Sequence, residues 1–196
     1  MKKLLSILLL LSFNFSFAGG TVNDEGEPRF YGLSVEYLRF VSHLSDYYKP
    51  APVFAFDMKV NNWEFSGGFG VVEPRSTVIK NSYYWSSSKP VDASVSTMYI
   101  IPFYASYDWL LSDNFAVKPY LGVGVGLIYY TMNYTTTGSL SGGTTSAMMG
   151  IAPRFALKYD LGFGRVEVYA RTFAGFDIEF GGDLTGAFGL AYHHYY

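Results

Sequence analysis

The chain of 196 residues lacks cysteine, carries little charge, and has no long hydrophobic run beyond its first 17 residues. Without cysteine, disulfide bonds and thiolate metal sites are excluded. Charged residues make up 15% of the chain, whereas soluble domains average about a quarter. Because no apolar run of spanning length follows the first one, the rest of the chain offers no transmembrane helix.

The first 18 residues have the features of an export signal. Lys2 and Lys3 give a positive start, residues 4–17 are almost entirely apolar, and Ser16-Phe17-Ala18 forms a small-x-small cleavage triplet. At 14 residues the apolar run is shorter than the roughly 20 that a spanning helix needs. We therefore predict a signal peptide over residues 1–18 and a single domain over residues 19–196, exported to the outer membrane.

The net charge of the predicted domain argues against a nucleic-acid partner. Residues 19–196 contain 12 Lys and Arg against 16 Asp and Glu, a net charge of −4. Nucleic-acid binding usually requires a basic surface. No cofactor, metal ion or catalytic group is expected from the sequence.

Alternation of apolar and polar residues is the main pattern after the signal. Between Phe115 and Tyr130, the odd positions are mainly Val, Leu and Phe, and the even positions are rich in Gly. Such a period of two is typical of a strand with one face in lipid. Eight stretches of this kind predict an all-β protein, an eight-stranded antiparallel up-and-down transmembrane β-barrel: 30–42, 54–60, 63–71, 94–110, 115–130, 149–159, 165–172 and 184–196. In the first stretch the alternation of residue types is lost at Leu38-Arg39-Phe40, where we expect a β-bulge or the lipid boundary.

The connections between the stretches alternate in length. Short polar turns are predicted at Asn61-Asn62, at 112–114 and at 160–164, and the intervening links are longer. Outer-membrane barrels have short periplasmic turns and long outer loops. An aromatic girdle is expected near the short turns, from Trp63, Trp109, Phe115, Tyr159 and Tyr196.

With these features the chain resembles the small outer-membrane barrels of the OmpA transmembrane-domain and OmpX type. Its last residues, Leu190-x-Tyr192-x-His194-x-Tyr196, look like the C-terminal assembly signal of that family. The resemblance implies a monomer inserted by the barrel assembly machinery and surrounded by outer-membrane lipid and lipopolysaccharide. The predicted function is a structural role, interaction with an extracellular ligand through the outer loops, or both.

The predicted inner face is rich in charge of both signs. Eight strands enclose a lumen that side chains alone can fill, so we predict a paired network rather than an open pore. The alternative is a narrow gated pore in which Glu36, Arg154 and Arg171 exchange partners. The predicted inward groups are Lys59, Lys118, Arg154, Lys158, Arg165 and Arg171 against Glu36, Asp57, Glu64, Asp108 and Glu167. Glu36, Arg154, Glu167 and Arg171 are the candidate network residues.

Two other functions are alternatives. His43 and Ser45, two residues apart on an extended strand, would share a face and look like part of a lipid A deacylase site, although we interpret His43 as a loop residue. A soluble lipocalin-like barrel that binds a ligand would instead have apolar residues inside, against the predicted arrangement. His193 and His194 are adjacent on a strand and point to opposite faces, so they do not chelate a metal together. We expect a solvated or interfacial strand end there.

The long second loop contains the remaining candidate site. Tyr83, Tyr84 and Trp85 are followed by three serines, a mixture that suits adaptable surface recognition. Loops on a rigid scaffold often carry function. We therefore predict that these aromatic residues contact an extracellular ligand.

Overall fold

In the computed structural model the described residues are 30–41, 43–75, 78–82, 91–136, 141–177 and 181–195. The predicted signal peptide, the predicted recognition residues Tyr83, Tyr84 and Trp85, and Tyr196 lie outside these ranges. Within them, no helix has the length and apolar character needed to cross a membrane.

Strands form most of the described chain, with one short 3₁₀ turn over His43–Asp46. The strand segments are β1 (Phe30–Phe40), β2 (Ala51–Val60), β3 (Trp63–Val72), β4 (Val78–Ser82), β5 (Val91–Val95), β6 (Met98–Leu110), β7 (Val117–Thr136), β8 (Ser141–Ile151), β9 (Arg154–Asp160), β10 (Gly164–Asp177) and β11 (Gly181–Tyr195).

These segments form a closed antiparallel barrel. The strand β1 pairs with β2 on one side and with β11 on the other, which removes the open edges of the sheet. Three of the barrel strands each consist of two successive segments, namely β3 with β4, β5 with β6, and β8 with β9. The described segments therefore build eight barrel strands, as predicted.

Side chains alternate between an apolar outer face and the lumen. Along β1, Leu33 is 70% exposed and Tyr37 is 56% exposed, whereas Ser34 and Glu36, which lie between them, are buried. The same alternation in β2, β9 and β10 confirms the predicted faces. A belt of Leu, Val, Phe and Tyr side chains therefore surrounds the barrel.

Of the two alternatives expected at Leu38-Arg39-Phe40, the bulge is wrong, and the lipid boundary stays a prediction. The strand β1 pairs with β11 in unbroken register as far as Phe40, which lies opposite Thr185. Leu38 and Phe40 are buried and Arg39 is exposed, so the alternation of faces continues. The residue pattern changes because the lumen itself changes from polar to apolar at this height.

Two barrel strands are interrupted where the sequence predicted continuous ones. The predicted strand 94–110 is divided between β5 and β6 at Ser96 and Thr97, where the backbone amide of Ser96 still donates to Asn133 at 3.0 Å. The break between β8 and β9 falls at Ala152 and Pro153, and proline has no amide to donate. Pro102, by contrast, remains within β6 opposite Ile128.

The short turns lie at one end of the barrel, as predicted. Val60 pairs with Trp63 across Asn61-Asn62, and Asn61 has a φ of 57°. Gly162 has a φ of 84° in the turn between β9 and β10. Both residue types tolerate this left-handed conformation. We call this end of the barrel the short-turn end and the opposite end the long-loop end.

At the long-loop end the link between β1 and β2 folds over the lumen. Leu44 and Tyr48 are buried, and the amide of Leu44 donates to the Asp183 carboxylate at 3.2 Å. The Tyr48 hydroxyl lies 3.2 Å from both the Ser96 carbonyl and the Met132 sulfur. Burial raises the pKa of the Tyr48 phenol, which therefore stays neutral. This link therefore packs against the buried apolar side chains at the long-loop end of the lumen.

Candidate functional site

The lumen has two tiers. Nearer the short-turn end is a network of charged side chains, each at most 3% exposed, which we call the lumen charge network: Glu36, Asp57, Lys59, Glu64, Asp108, Arg154, Lys158, Glu167 and Arg171. Above it is a cluster of buried apolar side chains, the apolar tier: Leu38, Phe40, Leu44, Tyr48, Ala51, Val53, Val72, Met98, Ile100, Tyr104, Ile128, Tyr130, Met132, Met148, Ala152, Phe173 and Ala187.

Strand alternation and hairpin register position the charges. Lys59 and Glu64 are register partners on either side of the Asn61-Asn62 turn. Lys158 and Glu167 are likewise register partners on β9 and β10, and both point inward. Each hairpin thus brings a cation and a carboxylate to the same height in the lumen.

Arg154 is at the centre of the network. Its guanidinium forms ion pairs with Glu64 on β3 and Glu167 on β10, and it lies 4.4 Å from the Tyr169 ring. These contacts connect three different barrel strands. Since a buried charge without a partner costs several kcal/mol, the position of Arg154 depends on both carboxylates.

Asp108 contacts both lysines of the network, Lys59 and Lys158. Lys158 forms an ion pair with Asp108 and lies 3.4 Å from Glu167, while Lys59 approaches Asp108 at 3.3 Å. Gly122 makes room for Asp108, because a Cβ at that position would lie 2.3 Å from its carboxylate oxygen. The Lys158 ammonium also lies 4.3 Å from the Tyr120 ring, within cation–π range.

Arg171 and Glu36 form the upper part of the network. The Arg171 guanidinium lies 2.6 Å from Glu36, and the Tyr169 hydroxyl donates to the same carboxylate oxygen at 2.7 Å. Arg171 stacks 4.0 Å from the Tyr104 ring and lies 3.9 Å from Glu64. Glu64 therefore connects the Arg171 and Arg154 parts of one continuous network.

Asp57 and His193 meet across a glycine. Both are register partners of Gly32, on β2 and β11 respectively, and the His193 ring nitrogen lies 3.6 Å from the Asp57 carboxylate. A Cβ on Gly32 would lie 2.3 Å from the His193 ring, so glycine is what allows the approach. His193 is fully buried and His194 is exposed. The two faces are as predicted, but the expected interfacial position is wrong for His193.

The candidate network residues are brought together, with partners that the sequence did not identify. Glu36, Arg154, Glu167 and Arg171 all belong to the lumen charge network. Arg154 pairs with Glu64 and Glu167, whereas Glu36 pairs with Arg171. The position of Glu64 opposite Lys59 in a predicted hairpin was the available signal for its role.

Two predicted lumen cations lie outside the network. Lys118 pairs with Asp113 in the neighbouring turn at 3.0 Å, and its side chain is 34% exposed. Arg165 pairs with Asp160 at 2.6 Å and stacks over Phe30 at 4.6 Å. Both are close to the short-turn end and are only partly buried.

The extended geometry expected of His43 and Ser45 is absent. Residues 43–46 form a 3₁₀ turn, so strand alternation does not place these two side chains on one face. The Ser45 carbonyl accepts a hydrogen bond from the Arg75 side chain at 2.7 Å. Within the described ranges, no three His, Asp or Glu side chains are grouped so as to hold a metal ion.

The closed barrel, its apolar belt and its filled lumen define a class: the chain has the fold of the small eight-stranded outer-membrane β-barrels. Soluble lipocalin-like barrels have the reverse distribution, with apolar residues inside and polar residues outside. This barrel has charged side chains inside and an apolar belt outside, which contradicts the lipocalin-like alternative.

Among solved structures, the chain is similar to Neisserial surface protein A, with a TM-score of 0.55 and 14% identity over 86% of this chain and 97% of that one. It is also similar to the N-terminal β-barrel domain of Pseudomonas aeruginosa OprF, with a TM-score of 0.47 and 12% identity over 85% of this chain and 99% of that one. A major outer membrane protein from Thermus thermophilus matches with a TM-score of 0.47 and 11% identity, over 84% and 98% of the two chains. No protein-family model and no curated protein sequence matches the chain. At 14% identity, the likeness to Neisserial surface protein A shows the fold alone.

Proposed function

We propose that the protein is a non-enzymatic integral outer-membrane barrel with a filled lumen, which acts structurally or through surface interaction at its long-loop end. The observation that carries this proposal is the apolar belt outside nine buried charged side chains. Lipid is the solvent in which such a distribution is favourable. The N-terminal signal would export the chain, and the C-terminal strand would engage the barrel assembly machinery and insert it as a monomer.

Surface interaction is favoured by strands that continue past the apolar belt. Thr131, Asn133 and Thr135 extend β7, and their β8 partners Thr145, Gly143 and Ser141 extend the same ladder with small polar residues. The segment β5 also pairs with the end of β7, and β4 pairs with β5, so both segments belong to the same extended sheet at the long-loop end. The sequence between β4 and β5 includes Tyr83, Tyr84 and Trp85, which would contact an extracellular ligand. Replacing these three residues with serine should abolish cell-surface adhesion, and unchanged adhesion would exclude them as the site.

The test of the membrane proposal is fractionation of the expressed chain, followed by SDS gels of boiled and unboiled samples. We expect an outer-membrane band whose mobility shifts on heating, because a closed barrel resists SDS until it is heated. The gel shift reports closure of the barrel, and the fractionation reports its location.

A protein recovered in the soluble fraction without detergent would overturn the proposal. It would leave the exposed belt without a lipid partner. A membrane-bound chain without a heat shift would instead indicate that the barrel does not close as described.

A further inference from the structure

Arg39 is a cation on the lipid-facing side of β1. It is exposed, it lies near the long-loop end of the strand, and it forms no hydrogen bond or ion pair with the described residues. Its neighbours on the same face are Tyr37 and Val41, which are 56% and 52% exposed. An arginine on the outer face of a membrane barrel is costly near the membrane centre and favourable only where it meets water or an anion.

Space for such an anion is available beside Arg39. Its register partner on β11 is Gly186, and a Cβ at that position would meet only the Val41 side chain, at 4.0 Å. The face next to the guanidinium is therefore flat. A headgroup could approach Arg39 there without displacing a side chain.

An apolar groove lies below Arg39 on the same outer face. It has a volume of about 320 Å³ and extends over β10, β11, β1 and β2. Its walls are formed mainly by Leu33, Val35, Phe54, Leu190 and Tyr192. A groove with this lining suits a hydrocarbon chain.

The separation of Arg39 from the groove fits the thickness of one lipid leaflet. Val35 and Leu33 are four and six residues from Arg39 along β1. These separations correspond to about 13 and 20 Å along a strand, or about 10 and 15 Å along the membrane normal for a tilt of about 40°. Half of the hydrocarbon core is about 15 Å. A lipid with its headgroup at Arg39 would therefore place an acyl chain in the groove.

We propose that Arg39 and this groove bind one phosphorylated, acylated lipid of the outer leaflet. The Arg39 guanidinium donates to the lipid phosphate, the Tyr37 hydroxyl donates to the headgroup, and an acyl chain occupies the groove. Guanidinium groups match phosphate through paired hydrogen bonds. This inference rests on the proposed outer-membrane location, which places the long-loop end in the outer leaflet.

The test is native mass spectrometry of the folded chain in non-ionic detergent. The probes are dimyristoyl phosphatidic acid and dimyristoylglycerol, which have the same acyl chains with and without a phosphate. We expect one phosphatidic acid to be retained and the diacylglycerol to bind at least tenfold more weakly. Arg39→Gln should weaken the phosphatidic acid complex about tenfold, the factor expected from one hydrogen bond to a charged group. Val35→Trp, which fills the groove, should weaken both complexes.

Lys49→Gln is the matched control. Lys49 is a cation at the same end of the barrel, but it is already paired with Glu73 at 3.1 Å, so its removal should leave lipid retention unchanged. Equal retention by Arg39→Gln and wild type, or equal retention of the two lipids, would overturn the proposal. Displacement of phosphatidic acid by millimolar inorganic phosphate would show a simple phosphate site and would overturn the lipid assignment. A heat-shifted gel band for every variant separates these outcomes from failure of the barrel itself.

Discussion

At the residue scale, the interior of the barrel depends on a few charged side chains with several partners each. Glu36 accepts from both Arg171 and Tyr169, and Glu64 contacts Arg154 while lying 3.9 Å from Arg171. Breaking a buried ion pair by removing one member leaves the other charge without compensation. Single substitutions in the lumen charge network should therefore have large effects.

Arg171→Ala should destabilise the folded barrel by about 3–5 kcal/mol, because it leaves Glu36 buried beside Tyr169 with no cation. The measurement is the free energy of unfolding in urea, with the protein in detergent or lipid vesicles. Lys118→Ala is the control, since its pair with Asp113 is exposed and its loss should leave the unfolding midpoint unchanged. Equal unfolding midpoints for Arg171→Ala and wild type would show that Glu36 finds another partner.

The sequence identified the members of this network better than their partners. Alternation alone predicted that Glu36, Arg154, Glu167 and Arg171 face inward, which is correct. Which carboxylate faces Arg154 depends on the relative heights of residues on strands far apart in the sequence, and local sequence patterns do not determine those heights. Alternation predicted only that His193 and His194 point to opposite faces, and the contact of His193 with Asp57 required the closing register of β1 and β11.

At the element scale, turn chemistry and alternation together fix each hairpin. Asn61 adopts a left-handed conformation in a two-residue turn, and this turn places Lys59 opposite Glu64. The turn was predictable because asparagine is favoured where φ is positive. The breaks at Ser96-Thr97 and Ala152-Pro153 were less predictable from the sequence. The segments before and after each break are held in place by pairing with the neighbouring strand β7, and not by the local sequence alone.

Asn61→Val should destabilise the barrel by about 1–2 kcal/mol, the cost of a left-handed conformation for a residue with a side-chain branch at Cβ. Asn61→Gly should be at least as stable as wild type, because glycine has no such penalty. Urea unfolding of both variants measures the difference. Asn62→Val is the control at the position next to it, where no positive φ is found, and it should cost less than Asn61→Val. A reversed order would place the strained residue at Asn62.

At the scale of the whole molecule, the two-tier lumen bears on the gated-pore hypothesis. Exchange of partners among Glu36, Arg154 and Arg171 would rearrange only the charged tier. The apolar tier lies between that tier and the long-loop end, with Ile100, Ile128 and Met98 fully buried. An ion crossing it would lose its hydration among apolar side chains. The two carboxylates buried at the long-loop side of this tier, Asp177 and Asp183, already accept hydrogen bonds from the Tyr130 hydroxyl and the Leu44 amide.

We therefore expect no single-channel conductance from the wild-type barrel in planar bilayers, and none from Arg171→Ala, because the apolar tier remains in both. A general porin recorded in the same bilayers is the positive control. Stepwise conductance of the wild type would show that the apolar tier opens. Conductance of Arg171→Ala alone would show instead that the ion pair with Glu36 is the barrier.

The lumen charge network also has a consequence for how the barrel is assembled. Glu36 and Asp57 are on the first two strands of the chain, and their partners Arg171 and His193 are on the last two. These contacts form only when the two ends of the sheet meet in the correct register. A closure shifted by two residues would keep every side chain on its proper face and satisfy the backbone, yet it would leave carboxylates and cations mismatched in the interior. The network thus stabilises the native closure over shifted closures, although the native and the shifted barrels present the same apolar surface to lipid.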